Sequence, residues 1–210
     1  MKNMGRRGLH GLYVLTDEHL GERLQTAVAA ALAGGARLVQ YRDKGADAVR
    51  HESEARGLRV LTRAHNARLI VNDDPASAAA AEADGVHLGK DDPDIVEARR
   101  LLGDEAIIGV SCYDSLQLAR DAVAAGADYV AFGSIYPSPT KPDAMHAPLE
   151  LLAAAKRELA VPICAIGGIT LDNAAPVLAA GADILAVISS VFSAPDIERA
   201  TREFIARHGL

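Results

Sequence analysis

The chain contains no tryptophan, and phenylalanine and tyrosine together supply only eight of its 210 residues (3 Phe, 5 Tyr). A core without large rings has to be assembled from Ala, Val, Leu and Ile, a composition that suits many small helices packed on β-branched strands. Cysteine is scarce too. Cys112 and Cys164 show neither metal-ligand spacing nor a CxxC arrangement. They read as small buried hydrophobes, and a reducing compartment fits. No apolar run is long enough to span a bilayer, and none of signal-peptide length follows the short basic start Met1–Gly8. The expectation is a cytoplasmic protein with a flexible extension over residues 1–8 and one domain over 9–210. Cationic excess is absent as well. A formal net charge of −6 leaves no broad basic surface for nucleic acid, although local cationic pockets stay open. There is no Rossmann or P-loop glycine pattern and no Ser-His-Asp logic. His10, His19, His51, His65, His146 and His208 have no metal spacing, and His87, lying inside an apolar run, reads as a packed core histidine.

What the chain does have is apolar runs that recur along its whole length with helical patterns between them. The runs are Gly11–Thr16, Arg37–Tyr41, Arg68–Val71, Gly85–Leu88, Ala106–Val110, Tyr129–Phe132, Pro162–Ile166 and Ile184–Ile188. The patterns between and after them predict helices over about Gly21–Ala33, Ala46–His65, Ala76–Ala83, a stretch ending near Leu102, Ser115–Ala125 with Asp114 as N-cap, Pro148–Leu159, Asp172–Ala180 and Pro195–His208. Alternation of this kind demands parallel strands with right-handed crossovers. Continuous apolar runs imply strands covered on both faces. Eight such units favour a closed, single-domain α/β barrel, the (β/α)8 TIM barrel, over an open sheet. A faint internal echo agrees: Gly35-Ala36-Arg37, Gly126-Ala127-Asp128 and Gly181-Ala182-Asp183 each lead into a strand, and Ala83-Asp84-Gly85 is a looser copy.

The polar clusters all sit just after a strand, and in such a barrel every strand C-terminus opens on one mouth. Gln40-Tyr41-Arg42-Asp43-Lys44 ends the second strand. Alternation puts Gln40, Arg42 and Lys44 on one side and Tyr41 and Asp43 on the other. A fork-shaped guanidinium and a point-charged ammonium suit an anion with several oxygens, such as a diphosphate. Asn72-Asp73-Asp74 follows the third strand and Asp91-Asp92 the fourth. Neighbouring strands lie roughly 4.8 Å apart, so a carboxylate from each can reach one hard cation, and Mg²⁺ suits oxygen ligands beside a phosphate. Helix capping before Pro75 and Pro93 is the competing use of these acids; Asp74 and Asp91 suit it, with Asp73 and Asp92 left to face the ion. Ser111 ends the fifth strand and has no base near it in sequence, which makes it a poor nucleophile. The longest connection, Gly133–Ala147, carries Ser138, Pro139, Thr140 and Lys141 and is either a surface loop or a lid. Gly167-Gly168 and Ile188-Ser189 end the seventh and eighth strands, where phosphate sites recur in this fold.

Taken together, Gln40–Lys44, Asn72-Asp73, His87-Leu88-Gly89 through Asp92, Gly109-Val110-Ser111, Phe132 through Lys141, Gly167-Gly168-Ile169 and Ile188-Ser189 make the chain resemble the thiamine phosphate synthase (thiamine-phosphate pyrophosphorylase) family from Leu12 to about Phe204. The resemblance implies a (β/α)8 barrel that couples 4-amino-5-hydroxymethyl-2-methylpyrimidine diphosphate to 4-methyl-5-(2-phosphoethyl)thiazole, or its carboxylated form. The products would be thiamine phosphate and pyrophosphate. By position, Gln40, Tyr41, Arg42, Asp43, Lys44, Asn72, Ser111 and Lys141 would hold the pyrimidine diphosphate, with Arg42, Lys44, Ser111 and Lys141 catalytic. Asp73 and Asp92 would bind Mg²⁺. Ser138, Pro139, Thr140, Gly168, Ile188 and Ser189 would hold the thiazole phosphate. Ser138 departs from the family's frequent Thr but keeps the hydroxyl. The implied chemistry is dissociative, with pyrophosphate leaving before the thiazole nitrogen attacks. That agrees with a set of residues offering charge stabilisation and no nucleophile. A thiazole tautomerase of similar fold and a non-catalytic phosphate-sensing barrel are the alternatives. Small-molecule substrates are the expected partners, without nucleic acid or membrane, and a homo-oligomer is left open.

Overall fold

The computed structural model describes residues 9–45, 47–137 and 146–210. Eight parallel strands close in chain order: β1 (Gly11–Leu15), β2 (Leu38–Tyr41), β3 (Arg68–Asn72), β4 (Gly85–Leu88), β5 (Ile107–Tyr113), β6 (Tyr129–Phe132), β7 (Ile163–Ile166) and β8 (Ile184–Val187). The last strand pairs back to the first, Leu12 opposite Leu185 and Val14 opposite Val187. The helices are α1 (Leu24–Ala33), α2 (Ala48–Ala64), α3 (Pro75–Ala80), α4 (Ile95–Leu102), α5 (Leu116–Ala125), α6 (Leu149–Glu158), α7 (Ala174–Ala179), α8 (Ser189–Phe192) and α9 (Ile197–His208). The expected closed (β/α)8 barrel is thus the observed one.

Strand parity divides the apolar residues between two cores. Val14, Val39, Leu69, Val130 and Leu185 face outward and pack under the helices. Tyr13, Leu15, Leu38, Ile70, Tyr129 and Cys164 face inward and fill the barrel. With few aromatics, the outer layer is built by alanines such as Ala27, Ala31, Ala55, Ala119 and Ala155, which let helices approach the strands closely. Both cysteines are free and buried, as expected. Burial pushes the Cys112 thiol up to about 12 and the Cys164 thiol upward as well, so neither is a thiolate at neutral pH.

The internal echo has a physical cause. Gly35, Gly126 and Gly181 close their helices at φ between 102° and 110°, a conformation that costs other L-residues energy. In the looser copy that place is taken by Glu82, at φ 50°. Two residues further on, Asp84, Asp128 and Asp183 repeat one clasp. Each carboxylate accepts an N–H from the first or second residue of the preceding odd-numbered strand: Leu69 at 2.8 Å, Ile108 at 2.8 Å and Ile163 at 2.9 Å. Each also pairs with a cation from the helix before that strand: Arg59 at 2.5 Å, Arg99 at 2.6 Å and Lys156 at 2.5 Å. The base of the barrel is therefore fastened electrostatically, at the end away from the mouth.

Local capping differs from expectation in three places. The first predicted helix is broken at Gly21 (φ 46°) into a 3-10 segment, Glu18–Arg23, and α1. Ser115, not Asp114, caps α5 by accepting from Leu118 N–H. Asp74 caps α3 as read, but α4 begins only at Ile95 under Asp94, so Asp91 is not a cap. The short α8 was not expected. It arises where β8 ends at Val187 and the chain turns before α9.

Candidate active site at the barrel mouth

Thr16 sets the geometry of the first cationic arm. It is fully buried beyond β1, donates to Arg42 C=O at 3.0 Å and accepts from Arg42 N–H at 2.9 Å. That double bond to the end of β2 fixes where the following residues leave the strand. Gln40, inside the barrel and 2 % exposed, donates to the Tyr13 hydroxyl at 2.9 Å. The Arg42 guanidinium forms no ion pair with any described residue. Lys44 donates to the Asp73 carboxylate.

Tyr41 and Asp43, named above among the substrate-binding residues, turn the other way. The Tyr41 hydroxyl donates to Glu54 of α2 at 2.7 Å. Asp43 is held by Arg50 at 2.7 Å, by His51 at 3.3 Å and by the Gly45 N–H at 2.7 Å. Burial opposes charge on Asp43, but Arg50 and the Gly45 N–H outweigh it and keep the carboxyl below the ordinary range. Their side chains thus anchor the loop to α2 instead of lining the mouth, and the strand alternation is the reason.

The acidic arm comes from β3 and β4. Asp73 adopts φ 66°, a conformation that Asp tolerates better than most residues. Its N–H donates to His87 C=O at 2.8 Å, which turns it toward β4. Asp92 accepts from Gly89 N–H at 2.6 Å and stands within hydrogen-bonding reach of Asp73. Burial raises the Asp92 carboxyl above its ordinary value, and the neighbouring Asp73 charge adds to the rise, while Gly89 and Lys44 pull against it. Asn72 lies opposite His87 at the end of the ladder. Two carboxylates competing for one position, with an ammonium already drawn to them, form a site that gains by taking up a cation.

Ser111 is not isolated. Its hydroxyl lies 2.9 Å from His87 Nε2, and His87 Nδ1 lies 2.9 Å from the Tyr129 hydroxyl. Tyr129 in turn meets Tyr13 at 3.1 Å, and Tyr13 meets Gln40. From sequence, His87 is expected to be a packed histidine without a partner and Ser111 a hydroxyl without a base nearby. His87 is packed, with burial pushing the imidazole down to about 4 against a smaller pull from Asp73, but it joins two strand ends. The available signal was parity: Tyr13, Gln40, His87, Ser111 and Tyr129 all occupy inward positions.

On the opposite side of the mouth, Tyr136 N–H donates to Gly167 C=O at 3.0 Å, and a Cβ on Gly168 (φ 61°) would lie 2.5 Å from Pro137 C=O. The glycine pair therefore lets the stem of the sixth loop lie against the end of β7. Ser190 of α8 donates to Ile169 C=O at 2.5 Å, which ties the seventh and eighth loops together and places Ile188 and Ser189 at their junction. A cleft of about 390 Å³ opens beside them, lined by Leu20, Arg23, Ile188, Ser189 and Phe192 among others. Ser138, Pro139, Thr140 and Lys141 lie outside the described residues.

Comparison with known proteins agrees with this arrangement. The profile of the family described as thiamine monophosphate synthase matches residues 12–191. The thiamine-phosphate synthase of Thioalkalivibrio sulfidiphilus is 54 % identical over 98 % of each chain. That of Thiobacillus denitrificans is 57 % identical over 92 % of each. Among solved structures, a thiamine phosphate pyrophosphorylase from Pyrococcus furiosus superposes with a TM-score of 0.88 at 39 % identity, covering 97 % of both chains. A thiamine phosphate pyrophosphorylase from Bacteroides thetaiotaomicron, at 17 % identity and a TM-score of 0.72, shares the fold over 96 % of this chain. With the barrel, the paired carboxylates and the cationic strand end in place, and with full-length relatives identical at more than half of the aligned positions, the chain belongs to the thiamine monophosphate synthase family.

Proposed function

We propose that the protein is a transferase of thiamine biosynthesis that joins the pyrimidine diphosphate to the thiazole phosphate, or its carboxylated form, releasing pyrophosphate. The observation that carries this reading is the meeting of Lys44, Asp73 and Asp92 from three adjacent strand ends; Arg42, two residues before Lys44, has no ionic partner among the described residues. Relatives named thiamine-phosphate synthase, at 54 % and 57 % identity, support the same activity.

The residues fit a magnesium ion of a particular kind. Among the described residues no three His, Cys, Asp or Glu side chains cluster to hold a metal alone. Mg²⁺ rarely needs that; it is bound by one or two carboxylates together with substrate phosphates and water. Asp73 and Asp92 would hold it, and their mutual repulsion, which raises Asp92, is relieved by a shared cation. When bound, Mg²⁺ neutralises charge developing on a departing diphosphate.

The chain's own residues do the rest. Arg42 and Lys44 bind the diphosphate oxygens. Gln40, Asn72 and Ser111 orient the pyrimidine half, and Lys141 of the sixth loop completes the anion site. The C–O bond to the pyrimidine methylene breaks with its electron pair leaving on pyrophosphate. The thiazole nitrogen lone pair then forms the new C–N bond. Gly168, Ile188 and Ser189, with Ser138, Pro139 and Thr140, hold the thiazole phosphate so that this nitrogen faces the methylene. Positioning and charge neutralisation suffice, with no protein nucleophile. The reading includes a cytoplasmic setting and small-molecule partners. Among the described residues no helix is long and apolar enough to cross a membrane.

The test is to incubate purified protein with both substrates and Mg²⁺ and to assay pyrophosphate and thiamine phosphate together. Equal appearance of both products is expected. Binding without either product would leave a sensing barrel, and conversion of the thiazole alone would leave a tautomerase.

A further inference from the structure

Five inward-facing polar side chains cross the barrel in one line: Gln40, Tyr13, Tyr129, His87 and Ser111. Tyr13 and Tyr129 are 1 % and 2 % exposed, and the Tyr129 ring lies so close to β5 that a Cβ on Gly109 would fall 2.0 Å from its Cζ. In such surroundings an unpaired hydroxyl proton is costly, so the direction of each hydrogen bond can be worked out from the one fixed donor. The Gln40 Nε2 can only donate, and it donates to the Tyr13 oxygen. Among the described residues the sole acceptor left for the Tyr13 proton is the Tyr129 oxygen. The Tyr129 proton must then go to His87 Nδ1. An imidazole accepting at Nδ1 carries its proton on Nε2, and that N–H donates to Ser111 Oγ. With Gln40 Nε2 facing Tyr13, the reverse direction would leave the Tyr13 proton without an acceptor among these residues; the orientation of that one amide therefore fixes the whole line, and turning it over would put the His87 proton on Nδ1.

We infer that this line of hydrogen bonds has a fixed direction, that it holds His87 as the Nε2–H tautomer, and that it makes Ser111 a hydrogen-bond donor toward the mouth. With its oxygen occupied by the His87 N–H, the Ser111 hydroxyl offers its own proton to an acceptor atom of the bound ligand. His87, Tyr129 and Tyr13 are thereby positioning residues: none faces the mouth, and each acts through the next. The same direction keeps His87 from serving as a base toward Ser111, since the nitrogen nearest that hydroxyl is already protonated. The ligand contact rests on the reading of the mouth as the pyrimidine diphosphate site. The tautomer does not.

The test uses protein carrying ¹⁵N-labelled histidine. In the unsubstituted protein at neutral pH, a one-bond N–H correlation is expected at His87 Nε2 and none at Nδ1. A proton on Nδ1 would overturn the inference whatever the enzyme's activity proves to be. Tyr129→Phe removes the donor to Nδ1 and should mix the two tautomers and raise KM for the pyrimidine diphosphate about tenfold, the worth of one oriented hydrogen bond. KM for the thiazole phosphate should not move. Tyr13→Phe leaves Tyr129 able to donate, so it should keep the Nε2–H tautomer. Ser111→Thr should retain a KM within a fewfold of the unsubstituted protein, and Ser111→Ala should not. An unchanged tautomer and KM in Tyr129→Phe, or equal scrambling in both tyrosine variants, would show that packing and not direction is what these residues supply.

Discussion

The buried imidazole of His87 makes the stability of the whole barrel depend on pH in a calculable way. Its folded-state value is depressed to about 4 from an ordinary 6.5, chiefly by burial. Above pH 6.5 the group is neutral in both states and contributes no pH dependence. As the pH falls below 6.5 the unfolded chain takes up a proton that the folded chain refuses, so stability is lost until the folded form also titrates near 4. The full loss is about 3 kcal/mol, from roughly 1.4 kcal/mol per unit over a shift of about 2.5 units. Between pH 7 and pH 5 the share due to this one side chain is about 2 kcal/mol. The assay is urea unfolding at both pH values, without divalent metal, for the unsubstituted protein and for His87→Gln, which keeps polar atoms but does not titrate. Subtracting one pH difference from the other removes the remaining histidines and the carboxylates. A remainder below about 0.5 kcal/mol, or one of opposite sign, would refute the claim that His87 is folded in its neutral form.

Other perturbations separate stability from chemistry. Glu82→Gly should raise stability by about 0.5–1 kcal/mol, because Glu82 sits at φ 50° where its three counterparts are glycine; denaturant midpoints would report it, and the exposed pair it loses with Arg63 is worth little. Arg42→Ala should lower turnover by at least about a hundredfold, as loss of an electrostatic contact to a leaving group does, with the thermal midpoint unchanged. Steady-state rates equal to the parent's would remove Arg42 from the site. Arg50→Ala removes the nearer of the two α2 contacts to Asp43, leaving His51, and should raise KM for the pyrimidine diphosphate severalfold by loosening the segment that carries Arg42 and Lys44, while Arg50→Lys restores part of it.

Much of this molecule is legible in its primary structure because the decisive signals are local. Apolar runs closed by Gly, Asp or Pro mark each strand, and in a parallel barrel the order of strands in the chain is their order in space. That is why the acids after the third and fourth runs and Lys44 after the second meet without any long-range guess. The strand alternation already put Tyr41 and Asp43 on the side away from Arg42 and Lys44, and they do anchor the loop to α2. What the sequence hid depends on closure. Tyr13 on β1 and Tyr129 on β6 touch only because the barrel is narrow enough for inward side chains to meet across it. Ser111 and His87 are joined by the register of β4 against β5. The choice of Asp94 over Asp91 as a cap follows from the turn that Asp92 makes with Gly89, a constraint no capping preference encodes.

The three aspartates at the base also say where this ring can be opened. Each ties a strand and the helix before it to the next strand along, so α2 to β4, α4 to β6 and α6 to β8 behave as sewn quarters with seams between them. Re-joining the original termini and starting the chain afresh at the seam after β4 keeps every stitch within contiguous sequence. Starting it after β5 would send Asp128 and its partners to opposite ends, and that circular permutant should assemble more slowly and melt earlier.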